Sequence, residues 1–336
     1  MKSIVFFNNK GGVGKTTLLC NLAAYLSIKK AKKVLIIDAD PQCNSTTYIL
    51  SEEKLDSIYG KARRESIESF LSPVRRAKGY LEKKIRPVKS GRFKVDVIPG
   101  DPKLALSEDL LASDWKSATS GDPRGLQTTL VFQHLKLQYQ EYDYVFFDVG
   151  PSLGAINRSV LIASDYFLIP MAVDIFSLMA LENINLSLTK WKKGIEEGLS
   201  KYEEEEGESY EIYDGETSWN LRFAGYVLQQ YKAKTVRGEK IHVKAYEKIS
   251  REIPAMIEKH ICPITTGNLQ ITDLFLGEIE NLHSLVPMSQ TTNAPIFALK
   301  AKDGVVGAHF QKVQYAESIY SNITEKLLYN IGEIDD

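Results

Sequence analysis

Residues 9–17 read Asn-Lys-Gly-Gly-Val-Gly-Lys-Thr-Thr, directly after the apolar run Ser3–Phe7 and before the apolar-rich segment 18–26. A β-branched and aromatic run that meets a glycine-rich turn and then a helical pattern predicts a strand, a phosphate-binding loop and a helix. Glycines without a Cβ let the loop's N–H groups wrap a triphosphate at the positive end of the helix. We therefore expect a nucleotide site, with Lys15 reaching the β- and γ-phosphates and Thr16 placing its hydroxyl on Mg²⁺.

The loop departs from the common G-x-x-x-x-G-K-[S/T] pattern in two places. Asn9 stands where that pattern has glycine, and Lys10 adds a second lysine at the mouth of the loop. This arrangement resembles the deviant Walker A motif of the ParA/MinD family of ATPases. The resemblance implies ATP and Mg²⁺ as cofactors, and an ATP-bound homodimer in which Lys10 crosses to the partner's nucleotide. The loop residues expected to bind ATP are Gly11, Gly12, Val13, Gly14, Lys15, Thr16 and Thr17.

Two further apolar strands are expected to end in carboxylates. Segment 33–42 carries Asp38 and Asp40, and segment 142–153 delivers Asp148 after four apolar residues. Acids at the carboxyl ends of central parallel strands lie where such sheets bind ligands. The first segment resembles the family element D-x-D-P-Q-x-N, which implies that Asp38 supports the hydrated Mg²⁺ and that Asp40 positions the attacking water. The alternative for Asp40 is that it only caps the next turn. Asp148 resembles the Walker B acid, which holds a Mg²⁺-bound water. The expected catalytic residues are thus Lys10, Lys15 and Asp40, and the expected metal ligands are Thr16, Asp38 and Asp148.

Strands that alternate with helices predict one doubly wound α/β domain over residues 1–336, with a mostly parallel sheet and helices on both faces. Two insertions are expected, a basic one at about 50–92 and an acidic one at about 196–220. Twelve Lys and Arg residues stand against three Glu residues over 61–94, which predicts either a solvated helical hairpin or a polyanion-binding face. Segment 203–216 carries eight acids and no base, which predicts an exposed, mobile insertion.

Two later segments resemble the family strands that border the adenine base. Segment 222–231 places Gln229 where the family often has Asn or Thr, and Gln can also hydrogen-bond a base edge. Segment 283–289 resembles the late strand that ends beside the base, and it contains Pro287. The resemblance therefore implies that Gln229 and Pro287 lie at the adenine.

Composition limits the cellular setting and the kinds of partner. The formal net charge is −1, so any nucleic-acid surface must be local. Three widely spaced cysteines without a C-x-x-C pattern indicate a reducing cytoplasm and no metal or disulfide role. No signal-peptide pattern is seen, and no apolar run approaches the roughly 20 residues of a membrane span, so we expect a cytoplasmic protein. Because the loop begins at residue 9, the chain resembles the small ParA/Soj class and not the long plasmid repressors.

Two local basic clusters are candidates for non-specific DNA binding, since phosphate contacts release counterions whatever the base sequence. The favoured cluster lies on a late helix and its entry loop, because in ParA-like proteins the DNA face is built from the C-terminal half. Its members are Lys232, Lys234, Arg237, Lys240, Lys244 and Lys248. The second cluster lies in the basic insertion and comprises Arg63, Arg64, Arg75, Arg76, Lys83 and Lys84.

Three functions follow from the resemblance. The favoured one is a partitioning or cargo-positioning ATPase that holds nucleoid DNA and is activated by a ParB-like or other partner protein. A second is a ParA-like switch that serves secretion, cellulose synthesis or phage defence through protein partners. A third is a MinD-like membrane cycler. It matches less well, since Lys326 is the only base after Lys312 and the last residues include three acids.

Overall fold

A central β-sheet organises the chain in the computed structural model, which describes residues 1–62, 64–213, 215–231, 233–236, 239–242, 244–264 and 269–333. The strands there are β1 (Lys2–Phe6), β2 (Val34–Ala39), β3 (Val88–Lys89), β4 (Asp96–Ile98), β5 (Tyr144–Val149), β6 (Tyr166–Ala172), β7 (Glu211–Ile212), β8 (Gly215–Glu216), β9 (Arg222–Tyr231), β10 (Ala233–Val236), β11 (Glu239–His242) and β12 (Phe275–Glu280). The helices there are α1 (Lys15–Lys30), α2 (Asn44–Ile49), α3 (Glu52–Tyr59), α4 (Ile67–Arg75), α5 (Glu108–Ala118), α6 (Pro123–Thr129), α7 (Val131–Leu137), α8 (Ala155–Ala163), α9 (Ile175–Glu206), α10 (Lys244–His260), α11 (Leu285–Thr291) and α12 (His309–Glu333).

The main sheet has the strand order β12-β9-β6-β1-β5-β2-β4-β3. Every neighbouring pair in it is parallel, apart from β3, which runs antiparallel to β4 at one edge. Parallel neighbours require crossover connections, and helices supply these on both faces. The predicted doubly wound, mostly parallel fold is therefore confirmed.

Strand β1 lies in the middle of the sheet, and both of its faces are buried. Ile4 and Phe6 point into one core with helices α1 and α12, whereas Val5 and Phe7 point into the other with α7, α8 and α9. Side chains alternate between the two faces of a strand, so a strand that is apolar throughout needs a layer on each side. This explains why the run before the glycine-rich loop shows no alternation of polar residues.

The register brings the three motif strands to one edge of the sheet. β5 lies between β1 and β2, with Phe6 paired to Asp148 and Asp38 also paired to Asp148. The carboxyl ends of parallel strands meet at the same edge, so the loop after β1 and the acids of β2 and β5 converge.

In segment 203–216 the acids whose side chains are described are exposed, while helix α9 continues to Glu206 and the following hairpin buries Ile212 against α5 and α6. One expectation for the second half of the chain is wrong. The strand expected at 283–289 is helix α11 instead. Its buried residues Leu285 and Ser289 are four apart, which is the spacing of one helical face and not of a strand.

Within the basic stretch 61–94, helix α4 packs onto the core. Its residues Ile67, Phe70, Leu71 and Val74 are buried at helical spacing. The expected helical hairpin is absent from the described part of 61–94, since no other helix forms there. Because the apolar face of α4 is buried, many of the basic residues of 61–94 are exposed to solvent.

His134 on α7 ties the segment after α4 to the hairpin after α9. Its ring stacks on Tyr80 at 4.2 Å and on Tyr213 at 4.7 Å between centroids. The side chain is buried, and burial lowers the pKa of His134 to about 4. The neutral imidazole is thus part of the packing between three segments.

We expect His134 to make stability depend on pH. As pH falls from about 6.5 towards 4, the unfolded chain takes up a proton at this residue while the folded chain does not, so the free energy of unfolding falls by up to about 3 kcal/mol. Urea unfolding at several pH values measures this, and His134→Phe should remove the effect. The exposed His283 provides the control, because His283→Asn should keep the wild-type profile. A His134→Phe curve that follows the wild type would contradict the assignment.

Candidate nucleotide-binding site

The loop between β1 and α1 forms one wall of a cleft of about 460 Å³. Gly12 and Gly14 have φ values of 73° and 74°, in the left-handed region that favours glycine. Helix α1 begins at Lys15 without a side-chain cap, so its first N–H groups are available to an anion. Asp40 and Pro151 also line the cleft.

Gln229 lies directly behind the loop. A Cβ built on Gly14 would stand 2.2 Å from the Gln229 Oε1 atom, and Gln229 is 5% exposed. It does not line the cleft in the described residues, and neither does Pro287. Gln229 therefore packs against the loop, and the expected places of Gln229 and Pro287 beside the adenine stay predictions.

Lys15, Thr16 and Asp148 form the floor of the site. The Thr16 hydroxyl donates to Asp148 Oδ2 at 2.9 Å, while Asp148 Oδ1 is buried with no hydrogen-bond partner in the described residues. Burial lowers the pKa of Lys15, and the charges of Asp148 and Asp40 oppose that shift. Burial also raises the pKa of Asp148, and the charge of Asp38 adds to the rise. The floor thus holds a desolvated cation beside a desolvated acid.

Asp38 is fully buried beside Asp148 and is held by helix α2. The amide and hydroxyl of Thr46 donate to Asp38 Oδ2 at 2.9 and 2.5 Å. Burial raises the pKa of Asp38, and the two bonds from Thr46 oppose this rise. Asp40 differs, because it lines the cleft and its Oδ1 also accepts from the Gln42 amide at 2.9 Å. Asp40 therefore caps a turn and faces the cleft at once.

The donors on this floor suit a hard divalent cation. A hydroxyl and carboxylate oxygens are the ligands that Mg²⁺ prefers, and Mg²⁺ usually keeps several waters and binds substrate phosphates. Within the described ranges no group of three or more His, Cys, Asp or Glu residues could hold a metal ion by itself. Thr16 and the unpartnered oxygen of Asp148 fit an ion that takes its other ligands from water and phosphate.

Side-chain hydrogen bonds fix the loop between β5 and α8. The Asn157 amide donates to the carbonyls of Gly150 and Ser152, at 2.7 Å each. Glu108 accepts from the amides of Ala155 and Ile156 and so caps the start of α8. A Cβ on Gly150 would lie 3.5 Å from Asp40 Oδ1, so this loop lies next to the acid that faces the cleft.

Lys10 lies at the mouth of the cleft and has a partner in its own chain. Its ammonium group forms an ion pair with Asp174, and it lies 5.9 Å from the centre of the Phe176 ring. Asp174 also caps helix α9 by accepting from the Ser177 amide at 3.0 Å. The side chain of Lys10 is 30% exposed, unlike the buried Lys15, so the two lysines of the loop occupy different environments.

Several residues that line the cleft were missed from the sequence. Gln42 and Asn44 lie in the quoted acidic element and could have been named from it, whereas Gln290 on α11 had no sequence signal. The residues that line the cleft but were not predicted are Gln42, Asn44, Thr47, Tyr48, Pro151 and Gln290.

The favoured basic cluster is only partly described. Lys248 is exposed on α10. Lys232 and Arg237 lie outside the described residues, and so do the side chains of Lys234, Lys240 and Lys244. In the described ranges no helix is long and apolar enough to cross a membrane.

Comparison with known proteins agrees with this geometry. A family model described as an AAA domain, AAA_31, matches residues 1–201. The chain is similar to the virulence plasmid ParA family protein pGP5-D of Chlamydia psittaci, with 32% identity over 55% of this chain and 62% of the relative. It therefore spans less than two thirds of that relative's length. It is also similar to the chromosome-partitioning ATPase Soj of Treponema pallidum, with 30% identity over 59% of this chain and 68% of the relative.

Among solved structures, the chain is similar to protein DIP2308 from Corynebacterium diphtheriae. The identity is 31% and the TM-score 0.71, over 87% of this chain and 97% of that one. The likeness therefore extends beyond the part matched by the family model.

Gly14→Ala should destabilise the chain more than Gly12→Ala, although both glycines have nearly the same φ. Each substitution places a Cβ in the left-handed region, at about 1–2 kcal/mol, but only the one at position 14 also collides with Gln229. Thermal unfolding of both variants measures the difference. Adding Gln229→Ala should restore part of the loss in Gly14→Ala and none in Gly12→Ala. Equal destabilisation by the two glycine substitutions would show that Gln229 does not support the loop.

Proposed function

The chain belongs to the ParA/Soj family of ATPases, and from this we propose that it is an ATP-hydrolysing switch that dimerises with ATP. The observation that carries the proposal is the floor of the cleft, where Lys15, Thr16 and Asp148 stand at the start of helix α1. Buried lysine and buried acid together suit an anionic triphosphate that arrives with a cation.

The chain's own groups account for the proposed hydrolysis. Phosphoryl transfer needs mainly positioning and charge neutralisation. Lys15 would contact the β- and γ-phosphates, and Asp40, which faces the cleft, would orient the attacking water. Asp148 and Thr16, with Asp38 behind them, would hold Mg²⁺, which supplies neutralisation of the phosphate charge. The loop at Gly150 lies next to Asp40 and would report whether the γ-phosphate is present.

Lys10 supports the dimer part of the proposal. It already stands outside the buried floor, at 30% exposure, and its only ion pair in the described chain is with the surface residue Asp174. The start of α9 beside it exposes Ile175, Phe176 and Met179. An apolar surface next to the cleft mouth suits a second copy of the chain. Lys10 would then exchange Asp174 for the partner's nucleotide.

The proposed biological role is partitioning or cargo positioning on nucleoid DNA. Support comes from the similarity to partitioning relatives and from Lys248 on α10. Dimerisation would bring two basic faces together, so ATP would control DNA affinity. A ParB-like or other partner would stimulate hydrolysis and release the DNA.

Asp40→Ala should accumulate as an ATP-bound dimer, since it keeps the phosphate-binding floor but lacks the group that orients water. Lys15→Ala should stay monomeric, because the triphosphate loses its buried cation. Size-exclusion chromatography with ATP and with ADP measures both.

Lys10→Ala alone should lose hydrolysis, and mixing it with Asp40→Ala should restore partial turnover at one of the two sites. No turnover in the mixture would argue that Lys10 acts within its own chain, and a monomeric Asp40→Ala protein would remove the dimer proposal.

DNA binding should require ATP and should weaken with salt. If each chain makes roughly three phosphate contacts, the dimer's log K should fall with log salt at a slope of about −5, and the monomer's at about half of that. Binding to two unrelated duplexes over a salt series, with ATP and with ADP, measures this. Lys240→Glu with Lys244→Glu should abolish binding, whereas Lys190→Glu with Lys312→Glu should not. Equal binding with both nucleotides, or none at low salt, would favour a switch that works through protein partners.

A further inference from the structure

A second cleft, of about 850 Å³, lies between the α4 segment and the chain that leads into α5. It shares no lining residue with the nucleotide cleft in the described chain. Eight Lys and Arg side chains line it against three acids, an excess of five positive charges in a chain of net charge −1. Such a concentration of one charge at a concave surface raises the local concentration of anions.

Two of the three acids are already neutralised at the base of the cleft. Asp101, with a side chain only 3% exposed, lies 3.7 Å from Arg64 and also accepts from the Ser66 hydroxyl at 3.0 Å. Glu68 lies 2.5 Å from Arg75. The side chains of Arg64 and Arg75 remain 36% and 25% exposed. The buried acids therefore fix the two guanidinium groups, which stay accessible to a ligand in the cleft.

The other cations leave the cleft positively charged. Arg76, Lys78, Lys83 and Lys103 are exposed and form no ion pair within the described ranges. Like charges held close together repel each other, and a bound anion would remove that repulsion. The apolar residues of α4 anchor the segment independently of these four exposed cations.

We propose that this cleft is a binding site for a compact, multiply phosphorylated anion, such as an inorganic or nucleoside polyphosphate. Its volume is that of small-ligand sites, which run to about 1,000 Å³. Arginine forks and lysines together are the chemistry that recognises phosphate groups. Cations arranged around a concavity suit a compact ligand better than a long duplex, which contacts an extended face.

The site lies close to the acids of the nucleotide cleft. Asp101 follows Gly100, whose amide donates to the Thr46 hydroxyl at 2.8 Å, and the same hydroxyl donates to Asp38. A phosphate that competes with Asp101 for Arg64 would therefore act two hydrogen bonds away from Asp38. Binding of the proposed ligand would thus be coupled to Asp38, the acid expected to support Mg²⁺ in the nucleotide cleft.

The test uses isothermal titration calorimetry of the full chain with inorganic tripolyphosphate. All proteins carry Lys15→Ala, so that the nucleotide loop does not contribute. We expect binding that weakens about tenfold or more when Lys78→Glu and Lys83→Glu are added. The matched control, Lys190→Glu with Lys312→Glu, makes the same charge change on exposed residues of α9 and α12 and should leave the affinity unchanged. Should the cleft variant not fold, Arg76→Gln with Lys103→Gln serves instead.

Three results would overturn the proposal. The first is the absence of tripolyphosphate binding in the Lys15→Ala chain, which leaves the proposed ATPase function untouched. The second is an equal loss in the cleft variant and in the matched control, which indicates a general charge effect. The third is a cleft variant that keeps tripolyphosphate and loses duplex DNA, which identifies the surface as a DNA face.

Discussion

The burial of Asp148 next to Asp38 is the constraint on which the rest of the site depends. Two neighbouring carboxylates without water are unfavourable, and burial raises the pKa of both. The chain offsets this with the Thr16 hydroxyl on one acid and Thr46 on the other, and with the buried ammonium of Lys15 nearby. One carboxylate oxygen still lacks a partner. A floor built in this way suits a cation and a polyphosphate.

The two lysines of the loop show how environment separates residues of one type. Lys15 is buried near the acids of the cleft floor. Lys10 lies at the surface, and its ion pair with Asp174 is the kind that exposed groups exchange at little expense in free energy. Asp174 caps the 32-residue helix α9, which leads at its other end into the hairpin whose Tyr213 stacks on His134. The same helix therefore connects the cleft mouth to the packing around His134.

Acidic and basic residues in this protein are concentrated in separate regions of the chain. The acids of residues 203–206 lie on the last turn of α9, whereas seven bases of segment 61–94 line the second cleft. The net charge of −1 reveals neither the acidic region nor the basic region. Because salt screens charges beyond about 10 Å, each region acts on its own ligands. The overall charge consequently says little about which anions this chain binds.

The sequence by itself determined the fold class, the loop and the acids at the strand ends. These follow from local patterns, since glycine spacing dictates the loop and an apolar run that ends in Asp places the acid at the sheet edge. The tertiary structure decided which side chains share the space. Gln229 is adjacent to the loop only because β9 passes behind it, and Gln290 reaches the cleft from α11. Contacts between residues hundreds of positions apart depend on packing, which no local pattern encodes.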